Sequence, residues 1–169
     1  KYTMLIDDDV NLPDNFDAMG LVAERISIPI ATGERFHSIH EFDMLLNRGA
    51  VQYLSPDVCL AGGISHSKKI AALAEANYVN VVPHNPLSPV STAACIQLAA
   101  CIPNFAIQEL PNGENIPPKS EIVKSSLLVE DWVIIIPDSP GIGVELYEDA
   151  AEKYPPNIRK VETRLNSDG

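Results

Sequence analysis

The stretch from Pro56 to Glu109 decides the fold. It contains PDVCLAGGIS (56–65), VNVVPHNPLSP (79–89) and FAIQE (105–109). Asp57, His84 and Glu109 each follow a short apolar run. The pattern extends upstream: Asp7 follows MLI (4–6), and Glu34 follows IPIATG (28–33). The intervals between these five residues are 27, 23, 27 and 25. A strand, an ionisable residue and a helix recurring at that interval mark a parallel sheet built from βα units. Ionisable groups at the carboxyl ends of successive parallel strands converge on one rim, where such sheets hold their chemistry.

Working outward, residues 3–6 and 27–32 read as the first two strands, with a helix over about 14–26 between them. In that helix Phe16, Met19, Val22, Ala23 and Ile26 share a face. The acidic triplet Asp7-Asp8-Asp9 is not an EF-hand start, because the sixth position is Leu12 and the twelfth is Ala18. Ser38 and Glu41 form a capping-box pattern at the head of a second helix, which Gly49 ends. Residues 50–54 are the third strand, and a helix over about 64–77 follows the Gly62-Gly63 pair. Residues 79–82 are the fourth strand, apolar enough to be covered on both faces. A helix of small residues over about 91–101 precedes the fifth strand, 105–108. Beyond Pro111 the rhythm breaks. Short strands are expected within 127–129 and 132–136, and a helix within 146–153. The expected organisation is therefore 1–110 as the repeat and 111–169 as a C-terminal extension.

The chain has 169 residues, a net charge of −11 and a pI near 4.6. That balance offers no basic surface for nucleic acid or for an anionic membrane. No apolar run approaches the ~20 residues that span a bilayer, and the start lacks the apolar core of a signal peptide. Cys59, Cys95 and Cys101 are an odd set without metal spacing, each within apolar sequence. They are expected to be reduced core thiols of a cytoplasmic protein. His37, His40 and His66 are expected at the surface, Lys68 and Lys69 on a solvated helix face, and Asn85 at the rim.

Six motifs carry a family resemblance: LIDDD (5–9), IPIATGER (28–35), YLSPDVCLAGGIS (53–65), VVPHNPLSPVSTAA (81–94), NFAIQE (104–109) and PGIGVE (140–145). They resemble the enolase superfamily in its mandelate racemase subgroup, and within it the galactonate and gluconate type of acid-sugar dehydratase. The resemblance implies a partial (β/α) barrel of about five parallel strands with outer helices, plus an irregular tail. It implies Mg²⁺ held by Glu34 and, at the preceding strand end, by Asp7, where the family usually has Glu. Oxygen-only ligation of that kind suits Mg²⁺. It further implies His84 as general base, Asp57 as the carboxylate that orients it, and Glu109 as the acid that hydrogen-bonds the substrate's carboxylate end. Removing a proton beside a carboxylate creates an ene-diolate, and a His or Lys base with Mg²⁺ is the known solution in this superfamily. Loss of a β-hydroxyl then completes a dehydration.

A whole barrel takes about 250 residues. The chain is expected to correspond to the second half of such an enzyme, beginning at the fourth barrel strand. That leaves two expected open edges, near Leu5 and Ile107, which invite self-association or a companion chain. The expected function is a Mg²⁺-dependent sugar-acid dehydratase. The alternative is a catalytically inactive truncated remnant with a structural or binding role.

Overall fold

A computed structural model of the chain describes residues 5–7, 15–110 and 113–157, with the side chains of Ile6 and Asp7 left out. Four short strands form one sheet in the order β1 (Ile6–Asp7), β2 (Ile30–Thr32), β3 (Tyr53–Leu54), β4 (Asn80–Val81), and all are parallel. Each connection is a helix: α1 (Phe16–Ala23), α2 (Ile39–Leu46) and α3 (Ile64–Ala76), with α4 (Pro89–Ala99) following β4. This is the βα alternation expected from the spacing.

Local chemistry sets the helix ends. Asn15 caps α1 by accepting from Ala18 N–H at 3.0 Å. At α2 the Glu41 carboxylate accepts from the N–H groups of His37 and Ser38 at 3.0 and 2.8 Å, and from the Ser38 hydroxyl at 2.8 Å. The expected capping box is therefore formed. Helix α4 starts at Pro89, two residues earlier than the sequence reading placed it. Ser88 is its N-cap and Pro89, with its fixed φ, takes the first helical position.

The core lies between the sheet and the helices. Met19, Ile30, Phe42, Leu54, Ile70 and Leu98 have no more than about 1% of their surface exposed, so each helix face reaches the same cluster. One backbone position constrains that core. Gly33, at the end of β2, has φ +131°, and an added Cβ would sit 2.6 Å from Phe42 Cε1. Only glycine turns the chain there without striking the fully buried Phe42 ring.

The fifth strand differs from expectation. Residues 105–108 do not form a regular strand. A single parallel bridge joins Phe105 to Val81, with Val81 N–H to Asn104 O at 2.8 Å and Ala106 N–H to Val81 O at 2.9 Å. The pairing stops at that one bridge, so no regular ladder forms along 105–108. The later part of the chain holds the antiparallel pair β5 (Val129–Glu130) and β6 (Val133–Ile134), and the short helix α5 (Ala150–Lys153). Leu127, Ile134 and Val144 pack with Ala93 and Ile96 of α4, so this segment is fastened to the repeat through a second, smaller apolar cluster.

Gly33→Ala is expected to lower stability by roughly 2–4 kcal/mol, from overpacking together with positive-φ strain, read as a lower urea midpoint at unchanged slope. Ser38→Ala is expected to cost about 1 kcal/mol at neutral pH. Partial burial works to raise the Glu41 pKa, but the Ser38 hydroxyl and the two N–H bonds outweigh it and hold the carboxyl below its usual value. A depressed carboxyl pKa stabilises the fold above the unfolded value and loses that contribution as pH falls through the folded one. The Ser38→Ala penalty should therefore shrink in acid, and denaturant titrations at several pH values will show it.

Candidate functional site

The carboxyl ends of the strands bring together residues that are far apart in the chain. Beyond β3 and β4 the parallel pairing resumes at one further bridge, Asp57 to His84. It places the His84 Nδ1 atom 3.1 Å from Asp57 Oδ2. Asp57 is 1% exposed. Its other oxygen, Oδ1, accepts the N–H groups of Cys59 and Leu60 at 2.8 and 3.1 Å. A buried carboxylate is tolerable only when its lone pairs are used in this way. Pro56 and the tight turn after Asp57, closed by Ala61 N–H to Asp57 O at 2.7 Å, direct those donors at the carboxylate.

Glu34 approaches the other ring nitrogen, with Oε2 3.2 Å from His84 Nε2. Its Oε1 lies 3.5 Å from Arg35 Nε. The imidazole thus stands between two carboxylates. An imidazolium donates to both at once. A neutral ring with Nδ1–H donates to Asp57 and turns the Nε2 lone pair toward Glu34. The bond to Asp57 selects that tautomer and stabilises the charged ring after Nε2 takes a proton.

Glu109 joins the same rim through the next residue. Its Oε2 accepts the Asn85 N–H at 2.6 Å, and its backbone carbonyl accepts Asn85 Nδ2 at 3.2 Å. Asn85 is fully buried. The structure therefore gathers Glu34, Asp57, His84 and Glu109 into one connected group, with Asn85 built into it more deeply than the sequence suggested. Asp7 ends β1 in register with Ala31 of β2, but its side chain lies outside the described residues.

The expected Mg²⁺ was assigned to Glu34 and Asp7. Among the described residues no cluster of three or more His, Cys, Asp or Glu side chains is arranged to hold a metal ion. Of the two expected ligands only Glu34 has a described side chain, and its oxygens face His84 and Arg35. The described side chains do not by themselves form a site that fits the cation.

Two residues that carry no strand-end pattern also reach this group. Thr92, on the first turn of α4, and Glu114, in the irregular segment after the repeat, hydrogen-bond each other at 3.0 Å next to Asn85. Neither follows an apolar run, so strand spacing could not reveal them; the small-residue face of α4 was the only hint. Three further expectations need revision. Cys59 and Cys101 are exposed, and only Cys95 is a core thiol, because the loop after Asp57 and the end of α4 turn outward. His66 is half-buried rather than superficial, and its Nε2 is enclosed without a partner among the described residues. His37, His40, Lys68 and Lys69 are exposed as expected. Among the described residues no helix is long and apolar enough to cross a membrane.

The chain matches the family model for enolase C-terminal domain-like proteins over residues 4–150, and it belongs to that family. It is 38% identical over 146 residues to the D-galactonate dehydratase of Variovorax paradoxus, covering 82% of this chain and 38% of that protein. It is 34% identical over 152 residues to the D-galactarolactone cycloisomerase of Agrobacterium fabrum, covering 87% of this chain and 40% of the relative. Its fold superposes on a mandelate racemase/muconate lactonizing enzyme from Sulfitobacter sp. with a TM-score of 0.85 at 35% identity, covering 96% of this chain and 40% of that one. The chain thus spans about two fifths of the length of the relatives it matches.

Cys95 is buried beneath the His84 carbonyl, 3.9 Å from its Sγ. Burial, with the nearby Asp57 carboxylate, pushes this thiol up to about 12. At pH 8 a thiol reagent should titrate Cys59 and Cys101 rapidly and Cys95 only on unfolding. Mass spectrometry of alkylated peptides checks the order.

Proposed function

We propose that this chain is a portion of a Mg²⁺-dependent sugar-acid dehydratase, of the galactonate or gluconate type, that carries the proton-abstracting group. The observation that bears most weight is the His84 ring held between Asp57 and Glu34 on the rim that also carries Glu109. The name of the Variovorax relative supports the substrate class. In this reading residues 1–110 are part of a (β/α) barrel, 111–169 an extension, and the protein is cytoplasmic.

His84 Nε2 takes the proton at the carbon next to the substrate carboxylate. The electron pair passes into that carboxylate as an ene-diolate; as the pair returns, the bond from the β-carbon to its hydroxyl breaks, and the hydroxyl leaves as water with the proton that the imidazolium gives back. Asp57 holds Nδ1–H throughout and balances the imidazolium that forms. Nε2 is open to substrate only when Glu34 Oε2 moves off it. Glu109 faces the carboxylate end of the substrate. Glu34 and Asp7 would hold Mg²⁺ in this chain, with further oxygen ligands from outside the described residues, and the cation would supply stabilisation of negative charge there.

The open side of the fold supports a partner. Phe105 and Ile107 are 36% and 48% exposed, and with Ile96, Trp132, Ile134 and Ile136 they line an apolar groove of about 1040 Å³. A strand edge beside such a groove invites another polypeptide to pair with it. We propose that a second copy or a companion chain covers it.

Two observations favour the alternative of an inactive remnant with a structural or binding role: Glu34 occupies Nε2, and the described residues form no three-ligand cluster. Calorimetric titration with Mg²⁺ and assay against galactonate and gluconate separate the readings. Binding with dehydration supports the first; neither, with the groove covered, leaves the second. In an active preparation His84→Asn should lower turnover by about 10²–10⁴-fold, and turnover that survives it removes His84 as the base.

A further inference from the structure

Behind Glu109 runs a short line of polar side chains enclosed by apolar ones. Asn85 uses its backbone N–H on Glu109 Oε2 at 2.6 Å and its side-chain Nδ2 on two acceptors, Glu109 O at 3.2 Å and Thr92 Oγ1 at 2.8 Å. Thr92 is fully buried. Its hydroxyl accepts from Asn85, so its single proton goes to Glu114 Oε1 at 3.0 Å or to Ser88 O at 3.2 Å. Glu114 in turn faces Lys119 Nζ at 3.9 Å.

We propose that Thr92 is a positioning residue for Glu109, acting through Asn85. The reasoning is geometric. The orientation of the Asn85 amide is determined by its partners: the Glu109 carbonyl can only accept, and Thr92 Oγ1 accepts because its own proton goes to Glu114 or Ser88. That orientation leaves Asn85 Oδ1 buried and without a partner among the described residues. A buried acceptor left unpaired costs stability. An apolar side chain of similar shape would avoid that cost, so packing alone does not account for an asparagine here. What the asparagine secures is the pose of its own peptide, and that peptide has two uses. Its N–H fixes one oxygen of the Glu109 carboxylate, and its other side carries His84. Thr92 anchors the amide from a helix whose first turn is itself held by the Ser88 cap and Pro89. The pose of the acid on the last strand segment is thereby referred to α4 rather than to its own irregular loop. Groups that hold a reacting residue in this way act through its orientation.

This inference rests on the reading of Glu109 as the substrate-facing acid, but its test does not depend on turnover. Amide hydrogen exchange is measured by NMR on the 169-residue chain, comparing Asn85 with Leu98 at the far end of α4. In Thr92→Val, which keeps the shape and removes the hydroxyl, the Asn85 amide should exchange about tenfold faster and its proton resonance should move upfield, with Leu98 unchanged. Thr92→Ser should restore the wild-type values. Should the valine variant not fold, Thr92→Ala, favourable within a helix, is read the same way. Unchanged exchange at Asn85, or equal acceleration at Asn85 and Leu98, would overturn the proposal, the latter by showing that Thr92 serves general stability. Loss of dehydratase activity in all forms would count against the proposed function and leave this result standing.

Discussion

The parallel register between β3 and β4 is the constraint on which the site depends. Tyr53 pairs with Asn80 and Leu54 with Val81, and the same pairing resumes at Asp57 and His84. A slip of one residue would send alternate side chains to the opposite face of the sheet. The His84 ring would then lose the buried carboxylate that fixes its tautomer. Because His84 and Asn85 are consecutive, one register sets both the imidazole and the N–H that reaches Glu109. The β2–β3 pairing adds the third partner. It aligns Thr32 with Leu54, and Gly33 then turns Glu34 toward His84.

Energetically the site joins two unlike environments. Beneath it lie fully buried apolar residues such as Ile30, Leu54 and Val81, which make the sheet rigid. Above it is a polar network in which both oxygens of Asp57 and one of Glu109 have a named N–H donor. Hydrogen bonds from backbone N–H groups to a buried carboxylate are charge-assisted and short, and Asp57 receives two. Cys95, a small buried residue on α4 whose Sγ lies 3.9 Å from the His84 carbonyl, lets that helix lie close against the rim so that Thr92 reaches Asn85. A larger residue in place of Cys95 would push the helix outward and leave the amide without its acceptor.

The open groove beside Phe105 has the opposite character. It is a large apolar surface next to a strand segment paired on one side only, and it holds exposed residues such as Ile107 and Trp132. The chain matches about two fifths of each relative. The part that ends the repeat is also where a regular ladder stops. The parallel ladder is regular from β1 to β4 and is reduced at Phe105 to a single bridge with Val81.

Much of this was legible in the residues alone. The strand–helix alternation, the Ser38–Glu41 capping box, the helix faces and the order of rim residues all follow from patterns within a few positions of each other. Such patterns reflect local backbone preference and apolar periodicity, which a linear chain displays directly. The family membership was likewise readable from motifs such as IATGER and PHNPLSP. Other features were settled only by tertiary structure. The exposure of Cys59 and Cys101, the enclosure of His66 Nε2, the contact of Glu34 with His84 Nε2 and the line from Glu109 through Asn85 and Thr92 to Glu114 all join or separate residues many positions apart. They depend on register, helix approach and rotamer choice, and these are decided when the whole core packs at once.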